Sequence, residues 1–154
     1  MPVSLSDRIL GCLLGGAIGD AMGGPVEGLD RAYVAREWGR VESLLPYRRP
    51  GGGRPRQNGE RRMEAGAYTD DTIHALLICW AIAKRQGRIT AEDLAEVWLE
   101  NAALVLDLWY TEQISLYRWA LAGVPAAEAG QHSIPADNTV IGIAPIGPVD
   151  AEIG

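Results

Sequence analysis

Cysteine is scarce in this sequence of 154 residues, which contains only Cys12 and Cys79. Both lie in apolar segments of helical spacing, where a cysteine usually behaves as a small buried hydrophobic residue. Their number and placement indicate neither a disulfide scaffold nor a zinc site. The sequence is therefore expected to fold around an ordinary hydrophobic core.

Basic residues are also few relative to acidic ones. The sequence has 14 Lys and Arg against 20 Asp and Glu, which gives a formal net charge of -6 and a pI near 4.9. Neutralising many phosphates requires a basic surface, so this balance argues against a general nucleic-acid-binding protein. With 47% hydrophobic and 22% charged residues, the composition is typical of one soluble globular domain over residues 1–154.

Long uninterrupted apolar runs are missing as well. The first residues, Met1 to Asp7, carry no basic charge, and the apolar segment that follows is diluted by glycine and interrupted by Asp20. A signal peptide is therefore not expected. The segment before Asp20 is also shorter than the roughly 20 apolar residues that span a bilayer. We expect a cytoplasmic protein that does not bind membranes.

Apolar residues recur at steps of three and four along most of the sequence, which is the spacing of one helix face. The predicted helices are Ser6–Met22, Asp30–Trp38, Thr69–Gly87, Thr90–Leu108 and a last one from Thr111 or Glu112 to Leu121. Caps at Ser4 or Ser6, and at Thr90 with Asp93, mark two of the helix starts. Alternation over the length of a strand is absent, so the predicted fold class is all-α.

Two segments lack helical spacing. Residues 46–66 contain six arginines and the run Gly51-Gly52-Gly53, which predicts a flexible loop. This loop is either a lid that attracts a phosphate-bearing substrate or a solvated surface excursion. Residues 131–147 are interrupted by glycine and proline and predict a second loop, which buries the apolar stretch Val140–Ile146.

Four glycines of the first predicted helix are spaced four residues apart, at Gly11, Gly15, Gly19 and Gly23. Each glycine costs roughly 1 kcal/mol relative to alanine within a helix, so a row of four needs a reason. We expect another backbone to approach this row closely, either from a crossing helix or from a ligand.

Two consecutive carboxylates stand at the entry to the third predicted helix. Thr69 precedes Asp70 and Asp71, and the three residues offer oxygen ligands of the kind that Mg²⁺ prefers. An acidic residue at a helix N-terminus is also a routine cap. Spacing alone leaves both interpretations open.

Two further carboxylates, Asp20 and Glu27, lie in or just after the glycine-rich helix. A buried charge without a partner is costly, so each must reach solvent, a cation or a hydrogen-bond donor. Asp20 either makes a helix-to-loop hydrogen bond or is catalytic, and Glu27 is either exposed or catalytic.

Taken together, three ordered motifs make the sequence resemble the ADP-ribosylglycohydrolase family. The motifs are the glycine-rich helix from Asp7 to Gly23, the turn Pro25-Val26-Glu27, and Tyr68-Thr69-Asp70-Asp71-Thr72. The stretch from Asn138 to Gly147 is similar to the segment that ends the first half of that family. This resemblance implies a compact all-helical fold.

The resemblance also implies roles for individual residues. Thr69, Asp70 and Asp71 match the first metal cluster, which implies Mg²⁺ as the cofactor, with two ions in the complete domain and Mn²⁺ as an alternative metal. Glu27 matches an acidic residue that in some members contacts the metal centre or the scissile ribose, and it is the expected catalytic residue. Asp20 is expected to be structural or to support the metal ligands.

The sequence departs from the family pattern in two places. Asp137, Asn138 and Thr139 stand where many members have a Gly-Asn-Gly stretch that holds a diphosphate, so they are the expected substrate-binding residues while the exact substrate stays open. The second metal cluster of the family, Asp-x-Asp-Ser/Thr, does not follow Asp71. Residues 1–154 are therefore expected to be the N-terminal half of a larger helical hydrolase domain.

The function implied by the resemblance is a magnesium-dependent hydrolase that cleaves a glycosidic bond at the ribose of ADP-ribosylated protein or a related ADP-ribose compound. The alternative is a non-catalytic member or fragment with a binding or structural role. A phosphohydrolase built on His-Asp pairs is disfavoured because the sequence has only His74 and His132.

Association is expected from the tryptophan-bearing helix faces, because a large bare apolar patch favours contact with another chain. We therefore expect self-association or a complementary chain. The faces concerned are led by Trp80, Trp98, Trp109 and Trp119.

Overall fold

The computed structural model describes residues 3–47, 64–106, 108, 110–131 and 138–147. Within these ranges the chain forms α-helices and one 3₁₀ turn but no strand, which confirms the predicted all-α class. The helices are α1 Leu5–Gly23, α2 Arg31–Trp38, α3 Asp70–Arg85, α4 Ala91–Glu100, α5 Ala102–Val105, α6 Tyr110–Ala120, α7 Ala126–Ala129 and α8 Asn138–Ile141. The 3₁₀ turn, Gly24–Val26, follows α1 directly.

The chain divides into two compact units, residues 1–72 and residues 73–154, and the boundary falls within α3. We call them unit 1 and unit 2. The expectation that residues 1–154 form one domain stays a prediction. Most of the predicted loop over residues 46–66 lies outside the described residues, as do Trp109 and Asp137.

Local sequence explains where several helices begin. Ser4 caps α1 by accepting a hydrogen bond from the backbone amide of Asp7 at 3.1 Å. Asp30 caps α2 in the same way, and Thr90 with Asp93 forms the predicted capping box at α4. These side chains satisfy backbone amides that the first turn of a helix leaves without partners.

The predicted helix from Thr90 to Leu108 is wrong in one respect, because it breaks at Asn101 into α4 and α5. Both the backbone amide and the side-chain amide of Asn101 donate to the carbonyl of Val97, at 3.0 and 2.8 Å. An asparagine side chain that bonds the backbone locally competes with helix continuation. The apolar spacing continues through Asn101, so the sequence pattern gives no sign of the break.

Unit 2 contains a hydrophobic core that α3, α4, α5 and α6 share. Its central side chains, Leu77, Val97 and Val105, are completely or almost completely buried. The other core residues are Ile73, Ala81, Leu108 and Leu116, and Trp98 and Trp119 pack against them from the side. Trp80, in contrast, is 41% exposed.

The stretch Val140–Ile146 was expected to be buried loop, and this prediction is wrong. Val140, Ile143 and Ile146 are all exposed, and part of the stretch belongs to α8. The close contact is made instead by Gly142, where an added Cβ would lie 2.6 Å from Cβ of His74. The backbone at Gly142 therefore packs directly on α3.

Helix α1 exposes several of its large apolar side chains. Leu10, Leu14 and Ile18 are each more than half exposed, and Ala21 is the buried residue of the helix. Cys12 is exposed too, so the expectation that it is buried is wrong, because it shares this open helix. Self-association through apolar faces stays a prediction.

The segment Leu5–Val26 is, by length and composition alone, apolar enough to cross a membrane, with a mean hydropathy of 1.4. Core helices of soluble proteins and N-terminal signal sequences share these properties, so one such helix is weak evidence. The expected cytoplasmic location and the absence of a signal peptide stay predictions.

The glycine row of α1 was expected to meet a crossing helix or a ligand, and no helix of the described residues approaches it, whereas approach of a ligand stays a prediction. Nothing lies within 4 Å of a Cβ built at Gly11, Gly15, Gly19 or Gly23. All four positions are on the exposed side of α1. Among the described glycines of unit 1, Gly24 and Gly66 are the ones that are closely approached, and Gly24 is the next glycine after this row.

Candidate metal site

The first turn of α3 is capped from a distance by Asp20 of α1. One carboxylate oxygen, Oδ2, accepts hydrogen bonds from the backbone amides of Thr69 and Thr72 at 2.8 and 3.2 Å. The same oxygen accepts the hydroxyl of Thr72 at 2.5 Å. Asp20 thus does for α3 what a local cap does for α1, and the predicted structural role of Asp20 is confirmed.

Thr69 lies between two carboxylates. Its Oγ1 is 2.6 Å from Oδ1 of Asp20 and 3.0 Å from Oδ2 of Asp71. Thr69 is buried at 8% exposure, whereas Asp20, Asp70 and Asp71 are half-buried. The structure therefore places the predicted residues Thr69, Asp70 and Asp71 together at the start of α3.

The oxygen donors of this cluster fit a small hard cation. Mg²⁺ binds six oxygens at about 2.0–2.1 Å in a near-ideal octahedron, so neighbouring ligand oxygens lie about 2.9 Å apart. The Thr69 hydroxyl lies within hydrogen-bond distance of Oδ2 of Asp71 at 3.0 Å, and the same separation is compatible with one edge of such an octahedron. The positive end of the helix dipole is unfavourable for a cation, and the two carboxylates of Asp70 and Asp71 offset it.

Glu27 follows the 3₁₀ turn and is exposed, and its backbone amide donates to the carbonyl of Gly24 at 3.3 Å. No group of three or more His, Cys, Asp or Glu side chains in the described ranges has the arrangement of a metal site. Glu27 does not form such a group with Asp70 and Asp71. Its expected contact with the metal centre or the scissile ribose and its catalytic role stay predictions.

The expected substrate-binding residues are largely beyond what the structure describes. Asp137 lies outside the described residues, and the backbone of Asn138 and Thr139 belongs to the first turn of α8. Their part in substrate binding stays a prediction.

Gly24 holds the backbone close to the candidate metal site. A Cβ at Gly24 would lie 2.9 Å from Cγ2 of Thr69 and 3.0 Å from Cζ of Tyr47, and it would collide with the hydroxyl of Tyr47. Gly24 therefore lets the end of α1 pack directly against Thr69. Sequence reasoning singled out the glycines before it, because their regular spacing was the visible signal.

We expect the substitution G24A to lower the free energy of unfolding by about 1–3 kcal/mol, as overpacking usually does. The matched control G23A should be neutral or stabilising by about 0.5–1 kcal/mol, because Gly23 has a helical backbone and open space around it. Urea unfolding followed by circular dichroism compares the two variants. Equal stability of G23A and G24A would contradict the close packing at Gly24.

Unit 2 has a separate buried polar cluster that sequence reasoning missed. Nε2 of His74 lies 3.0 Å from Oε1 of Glu112, and the hydroxyl of Thr111 donates to Oε2 of Glu112 at 2.6 Å. The side chains of His74 and Glu112 are only 7% and 2% exposed. The two residues are 38 positions apart in sequence, and no local pattern links them.

Burial raises the pKa of Glu112, but the hydrogen bonds from His74 and Thr111 outweigh it and bring the pKa below its usual value. Glu112 is therefore a carboxylate at neutral pH. The cluster borders a cavity of about 360 Å³, lined mainly by apolar side chains such as Leu94, Trp98 and Trp119. Buried hydrogen-bonded pairs of this kind are often structural, and this one connects α3 to α6.

Three curated proteins show sequence similarity to this chain. The uncharacterized protein YegU of Escherichia coli is 37% identical over 84 residues, which are 54% of this chain and 23% of that protein. The ADP-ribosyl-[dinitrogen reductase] glycohydrolase of Rhodospirillum rubrum is 33% identical over 101 residues, 64% of this chain and 30% of that protein. An uncharacterized protein of Archaeoglobus fulgidus is 32% identical over 127 residues, 78% of this chain and 38% of that protein.

The matched segment is thus well under half of the length of each relative. A family profile described as ADP-ribosylglycohydrolase matches residues 1–152, almost the entire sequence. The match includes the glycine-rich α1, the turn at Glu27 and the start of α3. The chain therefore belongs to the ADP-ribosylglycohydrolase family.

Proposed function

We propose that this chain carries one side of the active site of a magnesium-dependent hydrolase, which cleaves a glycosidic bond at the ribose of ADP-ribosylated protein or of a related ADP-ribose compound. The observation that supports it best is the oxygen cluster at the start of α3, where Thr69 and Asp71 are spaced as two ligands of one Mg²⁺. Family membership supports the reaction class. The named substrate of the Rhodospirillum rubrum relative, ADP-ribosyl-[dinitrogen reductase], supports the substrate class.

In this proposal Thr69, Asp70 and Asp71 hold Mg²⁺. When bound, the ion supplies Lewis-acid stabilisation and orients the ribose hydroxyls. Asp20 holds Thr69 and the first turn of α3 in place through its hydrogen bonds. These residues thereby fix the ligand oxygens before a substrate arrives.

Glu27 is the proposed catalytic residue. Its exposed carboxylate can accept a proton from an attacking water while the oxygen of that water bonds to the anomeric carbon. The bond between the anomeric carbon and the leaving nitrogen or oxygen breaks, the leaving atom takes up a proton from solvent, and Glu27 then returns its own proton to solvent. Asp137, Asn138 and Thr139 are the proposed contacts to the substrate.

Thr69, Asp70 and Asp71 belong to one turn of chain, so they supply ligands from one side only. We therefore expect the 154-residue chain to bind Mg²⁺ weakly and to turn over ADP-ribosylated substrates slowly at most. A second Mg²⁺ and the opposite wall of the site would have to come from further residues or a complementary chain. Tight Mg²⁺ binding by a fully active monomer would contradict this expectation.

The alternative is a non-catalytic family member with a binding or structural role. It is favoured by the finding that the described residues contain no cluster of three or more His, Cys, Asp and Glu side chains with the arrangement of a metal site. The two functions predict different products. A hydrolase releases ADP-ribose from its substrate, whereas a binding protein binds ADP-ribose and releases none.

Release of ADP-ribose from a labelled ADP-ribosylated protein, at high concentration of this chain, tests the proposal. We expect release that requires Mg²⁺, stops with a chelator and falls to background in D71N. The matched control D30N should keep the wild-type rate, because asparagine caps a helix as well as aspartate does. Binding of ADP-ribose without any release would favour the non-catalytic alternative. Release at the same rate with and without Mg²⁺ would contradict the proposal.

A further inference from the structure

We propose that Asp20 is a positioning residue that accepts the hydroxyl proton of Thr69 and thereby turns a lone pair of Thr69 toward the cation that Asp71 binds. This inference rests on the proposed magnesium site and deepens it. It concerns which way a single hydroxyl points, a property that neither the family profile nor the sequence motif specifies.

The Thr69 hydroxyl carries a single proton but has two possible acceptors. A threonine hydroxyl has one proton to donate, yet Oγ1 of Thr69 lies within hydrogen-bond distance of carboxylate oxygens from both Asp20 and Asp71. Hydrogen bonds from a hydroxyl to a carboxylate are typically about 2.5–2.7 Å long. The 2.6 Å contact with Asp20 meets this range and the 3.0 Å contact with Asp71 does not. The proton therefore belongs to the contact with Asp20.

Oδ2 of Asp71 is the other carboxylate oxygen beside the Thr69 hydroxyl. With the proton on the Asp20 side, Oγ1 of Thr69 and Oδ2 of Asp71 face each other at 3.0 Å as two acceptors. Two acceptors at this distance repel each other unless a positive charge lies beside both. A divalent cation bound along this edge would remove the repulsion, and 3.0 Å is close to the edge length that Mg²⁺ requires.

The Asp20 carboxylate is itself held in place. Its Oδ2 accepts the backbone amides of Thr69 and Thr72, and these two bonds fix the position of Oδ1 beside Thr69. Because Thr69 is buried, its hydroxyl cannot easily turn to bulk water instead. The cap of α3 and the direction of the Thr69 hydroxyl are thus set by one carboxylate.

The substitution D20N should reverse the hydroxyl. An asparagine can keep an oxygen toward the two amides and Thr72, but it then presents an N–H donor to Thr69. The Thr69 proton would turn toward Asp71 and occupy the edge where the cation would lie. The matched control is T72V, which removes another hydrogen bond to Asp20 and leaves Thr69 untouched.

We would measure Mn²⁺ affinity by electron paramagnetic resonance, together with the melting temperature of each variant. We expect D20N to bind Mn²⁺ roughly 10- to 100-fold more weakly, as the loss of an outer partner of a metal ligand usually causes. T72V should change the affinity less than twofold even if it melts as early as D20N, and T69S should retain the wild-type affinity. A loss of affinity that follows melting temperature across D20N and T72V would show a merely structural role and overturn the inference.

The outcomes separate this inference from the proposed function. Wild-type affinity in D20N would overturn the inference and leave the magnesium site standing, whereas failure of the wild-type chain to bind Mn²⁺ would overturn both. If D20N does not fold, the inference is tested on the wild-type protein instead. The buried Thr69 hydroxyl proton, observed by NMR at low temperature, should persist when Mg²⁺ is added. Its displacement by Mg²⁺ would place the proton on Asp71 and contradict the inference.

Discussion

Replacing Glu112 by alanine should lower the free energy of unfolding by about 2–5 kcal/mol, because two buried groups lose their hydrogen-bond partner and each such loss costs about 1–3 kcal/mol. The substitution leaves His74 and the hydroxyl of Thr111 buried without their carboxylate partner. It also opens space beside the hydrophobic core of unit 2. Urea unfolding followed by circular dichroism gives the change in free energy.

The surface ion pair between Lys84 and Glu100 provides the matched control. Its Nζ and Oε1 atoms lie 2.6 Å apart, closer than the buried pair, but both side chains are about half exposed. E100A should therefore change stability little, since solvent screens such pairs. If E100A and E112A lower the free energy of unfolding equally, burial does not make the His74–Glu112 contact more stabilising than a surface ion pair.

The pH dependence of stability gives a second measurement on Glu112. Because the pKa of Glu112 is lower in the folded than in the unfolded chain, its contribution is complete above the ordinary carboxyl pKa of about 4.3. The contribution should be lost as the pH falls through the lower folded-state pKa. E112Q should lack this component, so its stability curve should be flatter than that of the wild-type chain at acidic pH.

Replacing Asp71 by asparagine should weaken Mg²⁺ binding by roughly 100-fold or more, because a metal ligand matters more than the outer partners whose loss costs about 10- to 100-fold. The variant keeps the shape of the side chain and removes the charge. Its melting temperature without metal should rise or stay unchanged, because the loss of charge relieves the repulsion between Oδ2 of Asp71 and Oγ1 of Thr69. Calorimetric titration with Mg²⁺ and a thermal melt measure the two quantities.

The matched control for D71N is D93N, because Asp93 also occupies the first turn of a helix but belongs to the capping box of α4. D93N should bind Mg²⁺ like the wild-type chain and lose some stability. If D71N and D93N show the same Mg²⁺ affinity, Asp71 is an ordinary first-turn carboxylate and the metal interpretation is wrong.

Much of the fold was predictable from sequence because its signals are local. The caps at Ser4, Asp30 and Thr90 lie next to the helices that they start, and the apolar spacing of α3 continues without interruption. The break at Asn101 was missed because it depends on a side chain that bonds the carbonyl four residues earlier, while the apolar spacing runs on.

The contacts that matter most for the candidate site are not local. The bonds between Asp20 and the start of α3 join residues 49 and 52 positions apart, so the sequence could indicate that Asp20 needs a partner but not which one. The same holds for His74 and Glu112 in unit 2. Gly24 was missed for a different reason, since its importance comes from the tyrosine and threonine packed on it.

The location of bound metal is the most direct test of the proposed site. Mn²⁺ added to the isotopically labelled chain broadens the NMR signals of nearby backbone amides. At the lowest Mn²⁺ concentrations we expect broadening of the amides from Thr69 to Thr72 and of Asp20 before all others, with Mg²⁺ restoring the signals by competition. Broadening that begins at exposed carboxylates elsewhere, such as Glu96 and Glu100, and spares Thr69 to Thr72 would contradict a metal site at the start of α3.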